Sequence, residues 1–269
     1  MSSAHTFENL RSEIDRLVVL KGADNWSNTR SDKNFRLVEK VYSFGTRQCY
    51  ERLKDDEGVY VDLQSSRSLA IYENDTLENV MSQLDEVMKL NNADTVRIKE
   101  LEDTWNSLEI NLGQIKHTGF AELGFRVPRL MKHYGEKLKV PTWGYDVTPL
   151  SIGVTEKMGY DGRHYDFNDC EKDLDLTGAS LVVSYHMLEH VTDPLTAIKK
   201  IFSAMDDNAF FHVEIPIEPG LPRLEFAHMF PFHERDIAYM LQEAGFTILS
   251  LSHVTHEGGP WVERYLVRK

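Results

Sequence analysis

Leu181-Val-Val-Ser-Tyr-His-Met-Leu-Glu-His-Val-Thr-Asp-Pro194 is the stretch on which the reading of this chain turns. An apolar, β-branched run stops abruptly at Tyr185 and His186. A short turn follows, and Asp193-Pro194 opens an amphipathic helix. A parallel strand buried on both faces reads as such a continuous apolar run, and open α/β sheets bind ligands at the carboxyl ends of their strands. The stretch also contains His186-x-x-Glu189-His190, two imidazoles at i and i+4. With a third ligand and the whole motif on a helix, inverted zinc proteases hold zinc in this way. Here a strand runs directly into His186 and His190 lies just before the next helix. The two histidines then share no helical face, and no metal is expected.

Strands and helices alternate around this stretch from residue 117 onward. Gly119–Gly124 reads as a strand ending in a turn, Arg129–Leu138 as a helix, Pro141–Asp146 as a second strand and Pro149–Met158 as a second helix. Arg163–Asp166 is a short third strand and Ser180–Ser184 the fourth, followed by a helix over Asp193–Met205 and a fifth strand over Ala209–Ile215. Glu234–Ala244 is a helix closed by Gly245, and Phe246–Ser252 and Trp261–Val267 form an antiparallel pair at one edge. This alternation predicts an α/β fold, a Rossmann-like, mostly parallel seven-stranded sheet with helices on both faces.

Residues 1–116 differ in character, being charged, poor in glycine and mainly helical in pattern. Helices are predicted over residues 5–21 and 33–54, the latter with Phe35, Val38, Val41 and Tyr42 on one side. Short strands are predicted over 58–63 and 68–72. Over 77–115, Leu77, Leu84, Asn91, Ile98, Trp105 and Leu112 recur every seven residues, interleaved with Val80, Val87, Asp94, Leu101, Leu108 and Ile115. Such a seam fits a long helix, a helical hairpin whose second helix is capped by Asp94 or Thr95, or an amphipathic pair on the domain's own core. If it faces another chain, the protein is a homodimer through residues 77–115.

The 269 residues suffice for one large domain with an appendage. A formal charge of −13, from 30 Lys+Arg against 43 Asp+Glu, disfavours nucleic acid and anionic membranes as partners. Cys49 and Cys170 have no metal-ligand spacing and read as reduced thiols. The first residues lack a basic segment followed by an apolar core, and no apolar run approaches the ~18 residues needed to span a bilayer. A cytoplasmic protein is expected.

Carboxylates recur where the first three strands end. Glu122 and Gly124 close the first strand, and Asp146 follows Gly124 by 22 residues. A carboxylate at that distance from a glycine turn can hold the hydroxyls of a ribose. Asp166 and Phe167 end the third strand. A carboxylate there can accept from an adenine amino group while an aromatic ring covers the base. The ordered set points to an adenosine-containing ligand lying across the strand ends.

Over about residues 117–269 the chain resembles the class I S-adenosylmethionine-dependent methyltransferases of the small-molecule type. Val182–Pro194 looks like that family's fourth-strand motif, and Met229–Ile237 through Leu241–Phe246 is similar to its late histidine-and-aromatic segment. The resemblance implies S-adenosylmethionine as cofactor, S-adenosylhomocysteine as product, and methyl transfer to oxygen or nitrogen of a small-molecule acceptor, such as a sugar or a natural-product intermediate. It places Glu122, Gly124, Phe125 and Arg126 in the first motif, Asp146 and Val147 at the ribose, Asp166 and Phe167 at the adenine, and Tyr185 and His186 at the floor near the methionine. Arg126 and Pro128 stand where the family usually has glycine.

Removing a proton from a hydroxyl or amine acceptor suits a histidine near its ordinary pKa. His228, His190 and His233 are the candidates, with Phe226, Phe230 and Phe232 as an apolar acceptor wall. Pro216–Pro222 reads as a stiff loop over the same end of the sheet, a frame for the acceptor pocket or a partial lid. The flanking Glu214 and Glu218 could bind a metal or a cationic acceptor but read more simply as solvated loop acids. Two rivals stay open. One is a non-catalytic methyltransferase-like domain that binds a partner, its first motif having decayed at Arg126 and Pro128. The other is a nucleotide-binding oxidoreductase, which a single Gly124 supports poorly.

Overall fold

The computed structural model describes residues 17–21, 36–43, 48–54, 60–64, 77–108, 119–125, 127–217, 228, 230, 232–255 and 261–269. The C-terminal part is the expected α/β sheet. Its strands are β5 (Phe120–Leu123), β6 (Thr142–Asp146), β7 (Asp161–His164), β8 (Leu181–Tyr185), β9 (Phe210–Ile217), β10 (Thr247–Thr255) and β11 (Trp261–Arg268). They lie in the order β10-β11-β9-β8-β5-β6-β7, parallel except for β11, which runs antiparallel to both its neighbours. The last two strands do form an antiparallel pair, with β11 wedged between β9 and β10 and β10 alone at the edge. The third strand ends at His164, so Asp166 belongs to the turn beyond it.

The winding places the site. From β5 the chain steps outward through β6 to β7, then returns to lay β8 on the other side of β5. The direction of winding reverses between β5 and β8, and the crevice outside their carboxyl ends is where such sheets bind ligands. Glu122 and Gly124 lie at one of these ends, Tyr185 and His186 at the other.

Strand residues alternate between two covered faces. Ala121, Leu123, Val182, Phe211, Val213, Tyr265 and Val267 pack on Ile198 and Ile201 of α6 (Pro194–Ala204) and on Ile237 and Leu241 of α7 (Asp236–Ala244). Phe120, Leu181, Val183, Phe210 and Leu266 point the other way, onto Leu130, Met131 and Tyr134 of α4 (Arg129–Leu138). The same face also receives Ile98, Leu101 and Trp105 of α3 (Asn92–Ser107). A fifth helix in this part, α5, runs from Pro149 to Lys157. Period two along the strands and 3.6 along the helices supply this two-layer burial.

The heptad-like stretch is therefore no single long helix. α1 (Leu77–Ser82) and α2 (Leu84–Val87) end before Asn91, which starts α3. The Asn91 side chain accepts from the Asp94 backbone at 2.8 Å while Asp94 accepts from the Asn91 backbone at 3.2 Å, a reciprocal capping box. The cap is thus Asn91, three and four residues before the Asp94 or Thr95 expected to fill that role. Ile98, Leu101 and Trp105 of the seam are buried in this chain's own core.

Nearer the N-terminus a second sheet holds β1 (Leu17–Lys21), β2 (Arg36–Ser43), β3 (Gln48–Lys54) and β4 (Tyr60–Gln64), antiparallel in that order. This corrects the helix expected over 33–54, where β2 and β3 form a hairpin. The β2–β3 register shifts between Leu37 and Glu39. A bulge there breaks the alternation of a strand and leaves Val38, Val41 and Tyr42 at a spacing that mimics a helix. The helix expected over 5–21 is likewise replaced by a strand over its last five residues, and its start lies outside the described residues. The strand expected over 58–63 is β4, and that over 68–72 lies outside the described residues.

Candidate active site

The carboxyl end of β5 turns at Gly124, whose φ of 71° is left-handed. A Cβ there would meet Met187 Cγ at 2.4 Å, so both conformation and packing require glycine. Phe125 folds back over Gly144 of β6, where a Cβ would lie 2.5 Å from its ring. Arg126 lies outside the described residues, and Val127 and Leu130 are buried beyond it.

Glu122 is buried, and its Oε2 has no hydrogen-bond partner among the described residues. Burial, reinforced by the nearby Asp94 carboxylate, pushes its pKa up to about 8. A buried acid with an orphan oxygen is costly by itself and stabilised by a cationic ligand group. At the end of β6, Asp146 accepts from the Thr148 backbone at 2.8 Å and from the Thr148 hydroxyl at 2.6 Å through Oδ1, fixing the carboxylate as α5 begins. Val147 follows it, half-buried. Asp166 accepts from the Asn168 backbone at 2.9 Å, and Phe167 is buried with its ring edge-on to Tyr165. An orphaned acid beside a glycine turn, then carboxylates at the next two strand ends, fit an adenosine-containing cationic cofactor.

The end of β8 is built differently. Tyr185, Glu214 of β9 and Arg264 of β11 are cross-strand neighbours on the face covered by α3. Arg97 of α3 sits 4.8 Å above the Tyr185 ring and donates to Glu214 Oε1 through Nε at 2.9 Å and through Nη2. Arg264 donates to Glu214 Oε2 through Nε at 2.7 Å and through Nη2, and its Nη1 donates to Glu100. Asp94 completes the set, accepting from Arg97 at 3.2 Å and from Arg129 at 2.9 Å. Glu214 was expected as a solvated loop acid. It is fully buried in a strand because three cations converge on it.

The third of those cations is His186. Its backbone is left-handed, with φ 55°, an uncommon state for a residue with a side chain. Its ring spans two buried carboxylates, donating from Nε2 to Glu214 Oε1 at 2.8 Å and from Nδ1 to Glu189 Oε1 at 3.2 Å. Burial alone would depress the imidazolium, but the hydrogen bonds and charges of Glu189 and Glu214 raise it to about 9. Burial likewise opposes ionisation of both acids. His186, with Arg97 on Glu214, nonetheless holds each at about 2. His186 is thus a charged clamp at the floor of the crevice. Below it the half-buried Tyr185 hydroxyl shares a hydrogen bond with His212 Nδ1 at 2.6 Å, and burial lowers His212 to about 3, so that ring is neutral.

Beyond His186 a single 3₁₀ turn, Leu188–His190, carries Glu189 into the interior. The Phe230 backbone N–H donates to the Glu189 carbonyl at 3.0 Å and anchors Phe230 on this turn. His228 comes to 5.0 Å from His190, ring centre to ring centre and edge to face, and its Nε2 lies 4.0 Å from Glu189 Oε1. The structure thus unites two of the three histidines expected to handle protons. His233 is exposed, and its backbone instead donates to Asp236 at the start of α7. Phe230 and Phe232 are buried in the core, with Phe232 bridging to Ile217, so they are less a wall of the crevice than its support. Phe226, Glu218 and most of the proline-rich loop lie outside the described residues.

Sequence reasoning missed Arg97, Arg264 and the buried state of Glu214. A signal existed, because Glu214 and the pair Glu263-Arg264 interrupt strands whose neighbouring residues are largely apolar and buried. Opposite charges in two such strands are expected to meet.

Comparisons with known proteins agree with this geometry. No curated protein matches the chain by sequence. Among solved structures, a protein from Galdieria sulphuraria provisionally assigned as a sarcosine dimethylglycine methyltransferase superposes with a TM-score of 0.51 at 12% identity, over 64% of this chain and 86% of that one. Magnesium protoporphyrin IX methyltransferase from Synechocystis, with bound S-adenosylmethionine, gives 0.49 at 13% identity, over 70% and 91%. The family profile described as a methyltransferase domain matches residues 121–251, from the middle of β5 into β10. Over those residues the chain is similar to the methyltransferase-domain family, and the Galdieria superposition shows the same fold.

Proposed function

We propose that the protein transfers a methyl group from S-adenosylmethionine to an oxygen or nitrogen of a small molecule. The observation that carries the reading is the pairing, across the β5–β8 switch point, of Glu122, a buried acid with one oxygen unpartnered among the described residues, with the histidine pair His190 and His228. The cofactor supplies an already activated methyl on a sulfonium, so the protein must chiefly bind, align and exclude water.

Each residue has a task in this reading. Glu122 faces the positive charge of the cofactor, Asp146 holds the ribose hydroxyls, and Asp166 receives the adenine amino group beside Phe167. His186 closes the floor as a fixed cation that cannot accept a proton at neutral pH. Proton acceptance therefore falls to His190 and His228 on the acceptor side, beside the ionised Glu189, which stabilises a positive imidazolium.

The test is methyl transfer from S-adenosylmethionine to a panel of hydroxylated and amine-bearing small molecules, read as one added methyl by mass. Transfer that falls in His190→Ala and His228→Ala with cofactor affinity unchanged is the expected result. Cofactor binding without transfer to any oxygen or nitrogen acceptor would contradict it.

A further inference from the structure

We propose that Glu189, His190 and His228 together bind one divalent cation, so that the acceptor side of the crevice is a two-histidine, one-carboxylate metal site. Their donor atoms all lie within 4.8 Å of one another. Around a cation about 2.0–2.2 Å from each donor, neighbouring donors sit roughly 3.0–3.6 Å apart. Glu189 Oε1 lies 4.0 Å from His228 Nε2, which places the carboxylate beside the imidazole and leaves a small side-chain rotation to bring its second oxygen, Oε2, onto a shared cation.

Three further observations favour a cation over a histidine pair alone. Glu189 is fully buried, yet its Oε2 has no hydrogen-bond partner among the described residues, which leaves a buried carboxylate oxygen for a ligand to satisfy. The His186 ring fixes the other oxygen and is itself anchored on Glu214, the outer support that metal-binding groups ordinarily have. Two ligands come from one rigid turn and the third, His228, stands close before Phe230, which is bonded onto that turn, so the site is preformed. The helix-borne motif His186-x-x-Glu189-His190 is not what assembles. His186 stays out as a supporting cation and His228 takes its place.

Two imidazoles and one carboxylate suit zinc, manganese, iron(II) or cobalt(II) better than calcium or magnesium, which prefer oxygen donors. Three protein ligands leave at least one coordination position open. In the role that rests on the methyltransferase reading, this position takes an acceptor oxygen, favouring hydroxylated acceptors able to chelate, such as vicinal diols. A hydroxyl bound there loses its proton more readily than a free one, to solvent while His190 and His228 are ligands; when no metal is bound, the acceptor's proton goes to those histidines.

Chelator-stripped protein is titrated calorimetrically with zinc, and cobalt(II) binding is followed by its visible absorption. One equivalent is expected, with affinity falling by more than about 100-fold in His190→Ala and in His228→Ala, beyond the 10–100-fold that outer supports command. His186→Gln, which only supports Glu189, is expected within that smaller range, and the exposed His253→Ala should bind as the parent does. Absence of stoichiometric binding, or equal binding by the parent and both ligand variants, would overturn the site. S-adenosylhomocysteine is titrated in parallel on each variant. Its retention without metal binding removes the metal site alone, and metal binding without it removes the methyltransferase reading alone.

Discussion

The face of the sheet under α6 and α7 and the face under α3 share one alternation of strand residues, yet they are filled in opposite ways. The first is mainly dry and apolar, with Ile198, Ile201, Ile237 and Leu241 on Val182, Phe211, Val213 and Val267, and its one buried acid in β11, Glu263, is satisfied by the Arg235 backbone and the Tyr265 hydroxyl. The second begins the same way, with Leu101 and Trp105 on Phe120 and Phe210, but toward the carboxyl ends it gives way to Glu214, Arg97, Arg264, His186 and Asp94. Apolar burial stabilises without fixing any particular geometry. Buried charges contribute little net stability but are expensive to leave unpaired, so they lock one arrangement. The dry face holds the fold, and the charged face holds α3 and the end of β8 where the site needs them.

The largest effect that would break this contrast is expected from Glu214→Ala, which leaves Arg97, Arg264 and His186 facing one another. A loss of about 3–5 kcal/mol is predicted, measured by denaturant unfolding. A cost no greater than that of an ordinary surface change would mean the network is solvated.

The His186 clamp should give the charged face a pH dependence. Its imidazolium rises from an ordinary 6.5 to about 9, so its contribution is complete below about pH 6.5 and fades as pH climbs through 9. Glu189 and Glu214, held at about 2, contribute fully above about pH 4.5 and lose this as pH falls through 2. The stability difference between the parent and His186→Gln should therefore be greatest between about pH 4.5 and 6.5 and shrink by pH 9. A difference that does not vary with pH would show that His186 is not charged in the folded state.

Glu122→Gln should act in the opposite sense. The Glu122 carboxyl, raised to about 8, weakens the folded state as pH rises from 4.5 through 8. The variant should raise Tm at pH 8 and change it little at pH 4, while weakening S-adenosylmethionine binding. The smallest change belongs to the dry face, where Ile201→Val is expected to cost about 0.5–1.5 kcal/mol with no pH dependence.

The sheet was legible because its strands are buried on both faces and announce themselves as apolar runs such as Leu181–Ser184. The acids at strand ends were legible through spacing along the chain. The charged network was not, since Arg97 and Glu214 lie 117 residues apart and no local pattern links them. The seam over 77–115 shows a related limit. Ile98, Leu101 and Trp105 recur as they would in a coiled coil, but periodicity says only that a helix face is covered. Here the cover is the chain's own sheet. The zinc-like motif needs a helix to bring His186 and His190 together, and here a strand end and a 3₁₀ turn carry them instead. His228 was legible as a candidate by itself, but distance in sequence hid its contact with His190, to which the fold brings it from beyond β9.

The central claim is that the crevice at the ends of β5, β6 and β8 holds S-adenosylmethionine, and calorimetric titration with S-adenosylmethionine and S-adenosylhomocysteine tests it most directly. Binding of one equivalent, strongly weakened in Asp146→Ala, is the predicted result. No binding at millimolar ligand, or binding that Asp146→Ala leaves unchanged, would contradict it.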